Sequence, residues 1–125
     1  MTAKHIIFDA SVLVKFPQTE TFFKTARNSS MGTAAYIRSH CVPRTDIWYI
    51  LDLLQRKNID VIVLSKTASG AGQVLDAFGI SYSRSINTLD EIEDESSDYG
   101  YVTTMAKDRE SAKARGFKAV RFVPG

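Results

Sequence analysis

The first apolar run of the chain, His5-Ile6-Ile7-Phe8, is short and rich in β-branched residues, and it ends on a carboxylate, Asp9. Apolar residues at successive positions suit a strand covered on both faces, so a buried strand of a parallel sheet is predicted at residues 5–9. A second block of the same kind, Ile-Asp-Val-Ile-Val-Leu at residues 59–64, ends at Ser65 and Lys66. Between them, Pro43-Arg44-Thr45-Asp46 opens a helix in which Ile47, Ile50, Leu51 and Leu54 recur at three- and four-residue spacing. Gln55-Arg56-Lys57-Asn58 closes that helix.

The same rhythm continues towards the C-terminus. After a loop at residues 67–70, Val74, Leu75 and Phe78 mark a helix stripe, Gly79 stands as its cap, and residues 80–83 read as a third strand. The acidic stretch 90–98 reads as a solvated helix or loop with Leu89 and Ile92 turned inward. A fourth strand is predicted at 99–104, a helix at 108–115 with Ala112 inside and Gly116 as cap, and a fifth strand at 119–123. Residues 11–39 are interrupted by Phe16-Pro17 and by Asn28-Ser29-Ser30-Met31-Gly32, leaving Glu20–Arg27 as an amphipathic helix. This stretch reads as a small insertion at about 16–42 carrying one or two short helices. The prediction is an α/β fold: a single domain over 1–125, a three-layer Rossmann-like sandwich around a mostly parallel five-stranded sheet.

Composition narrows the functional classes. The chain has 125 residues, 16 basic against 14 acidic, and a formal charge of +2, too even a balance to demand a nucleic acid or a membrane. One cysteine, Cys41, excludes an intrachain disulfide, and two histidines exclude a Cys/His zinc cluster. The apolar start is too short for a signal core or a spanning helix, so a soluble, cytoplasmic protein with no membrane partner is expected.

In an open parallel sheet, ligands bind beyond the carboxyl ends of the strands. The residues trailing the first, second and fourth predicted strands are Asp9 with Ser11, Ser65 with Lys66, and Thr103-Thr104 followed by Asp108. A carboxylate directly after a buried strand needs a cation, amide donors or solvent, so Asp9 is the leading candidate for a nucleophile or metal ligand, with turn capping as the alternative. Ser65 is a candidate phosphate donor or a turn residue. Lys66 is a candidate counter-ion or a solvated lysine, and Asp108 is the N-cap or a first-turn acid of the last helix. His5, His40 and Cys41 read as structural.

The order of these features resembles the haloacid dehalogenase (HAD) hydrolase superfamily from end to end. Three stretches carry it: Phe8-Asp9-Ala10-Ser11, the block from 59 to Ser65, and Tyr101-Val102-Thr103-Thr104-Met105-Ala106-Lys107-Asp108. The resemblance implies a phosphate-ester hydrolase with Asp9 as nucleophile, Ser65 at the phosphoryl group, and Asp9 with Asp108 at Mg²⁺; Lys66, beside Ser65, is the phosphate-binding cation that its strand-end position offers. Ser11 stands where the family carries its general acid, and Thr103-Thr104 stand where it carries Gly-Asp. No lysine occurs from 67 to 106, leaving Arg84 as the nearest cation. The implied magnesium site is therefore weakened, and the insertion leaves only a minimal cap.

Two alternatives stay open. One is a catalytically inactive HAD-like binding or interaction module for a phosphorylated small molecule or macromolecule. The other rests on Asp9-Ala10-Ser11-Val12-Leu13-Val14-Lys15, which is similar to the opening of PIN-domain ribonucleases, the toxin type included. That likeness implies metal-dependent RNA cleavage, with Asp46, Asp98 and Asp108 as further acids. A nucleic-acid partner finds some support in Lys15, Lys24, Arg27, Arg38 and Arg44, which populate the insertion while acids crowd into 90–98. The oligomeric state is open.

Overall fold

A computed structural model describes residues 4–15, 20–65 and 70–122. Strand β1 (His5–Asp9) runs at the centre of a sheet. It is followed by a one-turn helix α1 (Ala10–Leu13) and a two-residue strand β2 (Val14–Lys15). Helices α2 (Glu20–Arg27) and α3 (Thr33–His40) come next, then β3 (Val42–Pro43), which pairs antiparallel with β2. The remaining elements are α4 (Thr45–Arg56), β4 (Asp60–Leu64), α5 (Gly70–Ala77), β5 (Arg84–Ile86), two short 3₁₀ turns, β6 (Tyr99–Thr103), α6 (Ala106–Ala114) and β7 (Lys118–Arg121). The main sheet has the order β5-β4-β1-β6-β7 with every neighbouring pair parallel. This is the α/β sandwich that the alternation of apolar runs predicts.

Side-chain alternation along the strands sorts the core into two layers. Phe8, Val61 and Val63 join Leu13, Phe23, Ile37, Ile47, Leu51, Val74 and Leu75 on one face. Ile7, Ile62, Leu64, Tyr99 and Tyr101 join Ile86, Leu89, Ala112 and Phe117 on the other. Each fully buried Leu, Ile or Phe contributes about 1.5–3 kcal/mol relative to an exposed one. The insertion is part of this core: Phe23, Ala26, Ile37 and Cys41 are buried in the first layer.

Helices α4, α5 and α6 end in the same way. Asn58, Gly79 and Gly116 take φ of 61, 72 and 92°, the left-handed conformation that turns the chain out of a helix. The amide of the next residue then donates back to the last helical turn: Ile59 to the Leu54 carbonyl (3.0 Å), Ile80 to Leu75 (2.9 Å) and Phe117 to Ala112 (3.1 Å). In each case an apolar residue follows the left-handed one, so the cap also starts the return to the sheet.

Four expectations need correction. The third strand lies at Arg84–Ile86 and not at 80–83, because Ile80 and Tyr82 pack against the first layer and pairing with β4 begins only after Ser83. Ser83 prepares that pairing, its amide donating to the Val61 carbonyl (2.7 Å) and its Oγ accepting from the Val61 amide (3.0 Å). On α4 the buried residues are Ile47, Trp48 and Leu51, whereas Ile50 is 43% exposed. Trp48 displaces it by donating Nε1–H to the Leu13 carbonyl at 2.8 Å, which rotates the helix towards α1. Helix α6 starts at Ala106 and not at 108, with Met105 as N-cap, so of the two places open to Asp108 it takes that of a first-turn acid. The fifth strand is Lys118–Arg121, earlier than 119–123; Val123 lies outside the described residues.

Leu51→Ala is expected to lower stability in urea by about 2–5 kcal/mol, whereas Ile50→Ala at low micromolar protein should change it by no more than about 0.5 kcal/mol. Comparable losses for the two would restore the stripe read from spacing alone.

Candidate functional site at the sheet rim

Because β1, β4 and β6 are parallel and in register, their carboxyl ends reach one rim. Asp9 pairs with Leu64, and Phe8 with Val102, so Ser65 and Thr103 follow at the same level. Asp9 is only 6% exposed. Its Oδ2 accepts hydrogen bonds from Ser11 Oγ at 2.8 Å and from the fully buried Thr103 Oγ1 at 2.9 Å. Both hydroxyls also accept: the Thr104 amide donates to Ser11 Oγ (3.3 Å) and the Met105 amide to Thr103 Oγ1 (3.2 Å). A buried carboxylate is costly unless donors surround it, and a hydrogen bond to a charged group contributes about 1.5–3 kcal/mol. The result is a polar knot that ties the end of β1 to the turn between β6 and α6.

Ser65 shares the rim but not the face. Alternation sends it to the first-layer side with Val61 and Val63, where a Cβ at Gly70 would collide with its Oγ and touch Phe23. Its amide donates to the Ile86 carbonyl (3.0 Å), and its buried Oγ has no hydrogen-bond partner among the described residues. Asp9 lies on the Tyr101 side, and no hydrogen bond joins it to Ser65 among the described residues. Lys66 lies outside the described residues.

Asp108 stands in the first turn of α6, half-buried, beside a cleft of about 250 Å³ lined by Leu64, Asn87, Tyr101, Ser111 and Arg115 among others. Burial, then the negative charges of Asp9 and Asp108, push the Tyr101 phenol well above its ordinary range. Asp9, two residues after Ile7, and Asp108, which lines one cleft with Tyr101, lie on the same side of the sheet. Of the sequence candidates, the structure gathers Asp9, Ser11 and Asp108 around Thr103 and Tyr101, and it leaves Ser65 on the other face. The sequence places Thr103 at the end of a strand, in the glycine position of the family's Gly-Asp pair; its role as donor depends on the β1–β6 register, which the sequence does not display.

Other candidates fall elsewhere. Arg84 borders a cleft with His5, Asp60, Asp94 and Tyr99 at the opposite end of the strands. There His5 Nδ1 pairs with Asp60 Oδ2 (2.8 Å) and its ring stacks on Tyr99, a partnership that reading His5 in isolation missed. Asp98 directly precedes β6, so it lies about 16 Å of strand away from the Asp9 rim. Asp46 is exposed in the first turn of α4. Among the described residues no group of three His, Cys, Asp or Glu side chains is placed to hold a metal ion, and none of the helices is long and apolar enough to cross a membrane.

With the fold and rim in place, comparison with known proteins adds a fold likeness. No protein-family model matches the chain, and no curated protein matches its sequence. Among solved structures it is similar to one chain in the structure of the Pnkp1/Rnl/Hen1 complex, with a TM-score of 0.59 and 12% sequence identity. The alignment covers 97% of this chain and 46% of that one, so this chain spans less than half of its structural neighbour. At that identity the likeness concerns the fold alone.

Thr103→Val keeps the shape and removes the donor to Asp9, so it is expected to cost about 1–3 kcal/mol in urea denaturation, more than Ser11→Ala, whose hydroxyl solvent can replace. An unchanged midpoint for Thr103→Val would show that the knot does not hold the rim. Burial pushes the Cys41 thiol from 9.0 up to about 11. Its thiolate fraction at pH 8, and hence its labelling by iodoacetamide in the native protein, should be about 100-fold below that of the unfolded chain. Because the folded value is the higher one, the corresponding stability is complete below pH 9 and falls as the pH rises from 9.0 to about 11.

Proposed function

We propose that this chain is a HAD-like domain whose phosphoryl-transfer chemistry has been dismantled and whose rim acts as a non-hydrolytic binding or interaction module. The hydroxyl tie on Asp9 carries this reading. An aspartate that attacks phosphorus needs an available oxygen, an acid for the leaving group and a cation between two anions. Here Ser11 and Thr103 both hold Oδ2, which draws charge from the carboxylate and leaves Oδ1 alone for attack, and the residue at the acid position is itself one of the donors. Thr104 stands where the resemblance calls for a second carboxylate, and among the described residues no three His, Cys, Asp or Glu side chains are placed to hold a metal ion. This donor set does not fit a magnesium site. Without an intervening cation, a phosphate dianion beside an ionised Asp9 is repelled. The cleft beside Asp108 instead offers amide and hydroxyl groups, from Asn87, Tyr101 and Ser111, to a polar ligand, with Asp108 and the Asp90-paired Arg115 as the charges in its wall.

The hydrolase reading and the PIN-type reading share the same rim and differ in outcome. The purified chain, incubated with Mg²⁺ and a panel of phosphomonoesters including p-nitrophenyl phosphate, is expected to release no more phosphate than Asp9→Asn. Mg²⁺ at about 10 mM should leave its melting temperature unchanged, as for a protein without a site for the ion. Mg²⁺-dependent release that Asp9→Asn abolishes would overturn the proposal in favour of the hydrolase. RNA cleavage with Mn²⁺ that EDTA stops would overturn it in favour of the nuclease.

A further inference from the structure

Helix α4 carries two apolar stripes, and the fold uses one. Ile47, Trp48 and Leu51 are buried, while Tyr49, Ile50 and Leu53 on the opposite side are 64, 43 and 38% exposed. At 3.6 residues per turn, Asp46, Tyr49, Ile50, Leu53 and Lys57 fall along one exposed line of the helix. The line begins with a carboxylate, passes through three apolar residues and ends on cations, Arg56 and Lys57. Arg56 is engaged within the helix by Asp52 at 2.9 Å, so Lys57 is the cation offered outward.

A stripe with opposite charges at its ends and an apolar middle is complementary to itself when turned end for end. Asp46 of one copy then meets Lys57 of the other, and Ile50 meets Leu53. Both pairings share a midpoint between Leu51 and Asp52, so a single two-fold axis through that point satisfies them together. A partner of unrelated sequence would have to supply this pattern independently; a second copy of the chain supplies it by construction. We propose that the chain forms a symmetric homodimer through antiparallel packing of α4 against α4. This surface is separate from the Asp9 knot, and the inference does not rest on the reading of the rim. A contact one 12-residue helix long spans about 18 Å and is smaller than a standard interface, so the dimer is weak, with a dissociation constant on the order of 10–100 µM.

Sedimentation velocity on the full chain from about 5 to about 500 µM tests this. The expected result is a concentration-dependent shift from 13.9 kDa towards twice that mass. Leu53→Glu should hold the protein monomeric throughout with an unchanged far-UV spectrum, and Ile50→Ser provides a second, milder disruption. Asp46→Lys should weaken association about tenfold, and Asp46→Lys combined with Lys57→Asp should restore it. A monomer over the whole range, a dimer indifferent to both Leu53→Glu and Ile50→Ser, or a double charge exchange that fails to restore association would each overturn the proposal.

Discussion

Burying the Asp9 carboxylate at the end of the central strand sets the terms for the rest of the rim. An ionised group at this depth persists only where donors meet it. Ser11 supplies one from the first turn after β1, and Thr103 supplies the other from the end of β6. These residues are 2 and 94 positions away from Asp9 in the chain, so the knot joins the beginning of the fold to its final α/β unit. The hydroxyls in turn accept the amides of Thr104 and Met105, which fixes the turn from which α6 departs and hence the position of Asp108.

The sheet that presents this knot is held by layers that are unequal in origin. The layer opposite Asp9 is assembled from the insertion as well as from the crossover helices, with Phe23 and Ile37 as deeply buried as Val61 and Val63. Segments that a linear reading separates as accessory are therefore part of the core, and little of the described chain is left to cover the rim. The Asp9 face is built from Tyr99, Tyr101, Phe117 and the 3₁₀ segment around Leu89, and its open cleft is lined by Tyr101 and Asp108.

The motif order that resembles HAD hydrolases in the sequence and the chemistry of the rim pull in different directions, and the physics of the donors explains why. Carboxylates at the acid and metal positions would repel Asp9 and require a cation to coexist with it. Ser11, at the acid position, and Thr103, one residue before the Thr104 that replaces the metal-site acid, remove that requirement by donating directly, which favours a stable rim over a reactive one. The exposed stripe on α4 belongs to a separate surface, where apolar side chains serve no purpose in the core.

Much of the architecture is legible in the amino-acid order because it depends on local physics. Apolar runs mark β1 and β4, left-handed residues Asn58, Gly79 and Gly116 end three helices, and the alternation of elements requires parallel crossovers. Asp9 stands out for the same reason, as a charge placed where a buried strand stops. What the sequence leaves undecided is set by register and rotation, which are long-range. Pairing of β1 with β6 turns Thr103 into the partner of Asp9, and strand alternation carries Ser65 to the other face. The Trp48 bond to Leu13 rotates α4 so that Ile50 faces outward, and β5 begins only where Ser83 reaches Val61. Propensity and spacing determine which segments form. The sheet in three dimensions decides which side chains meet.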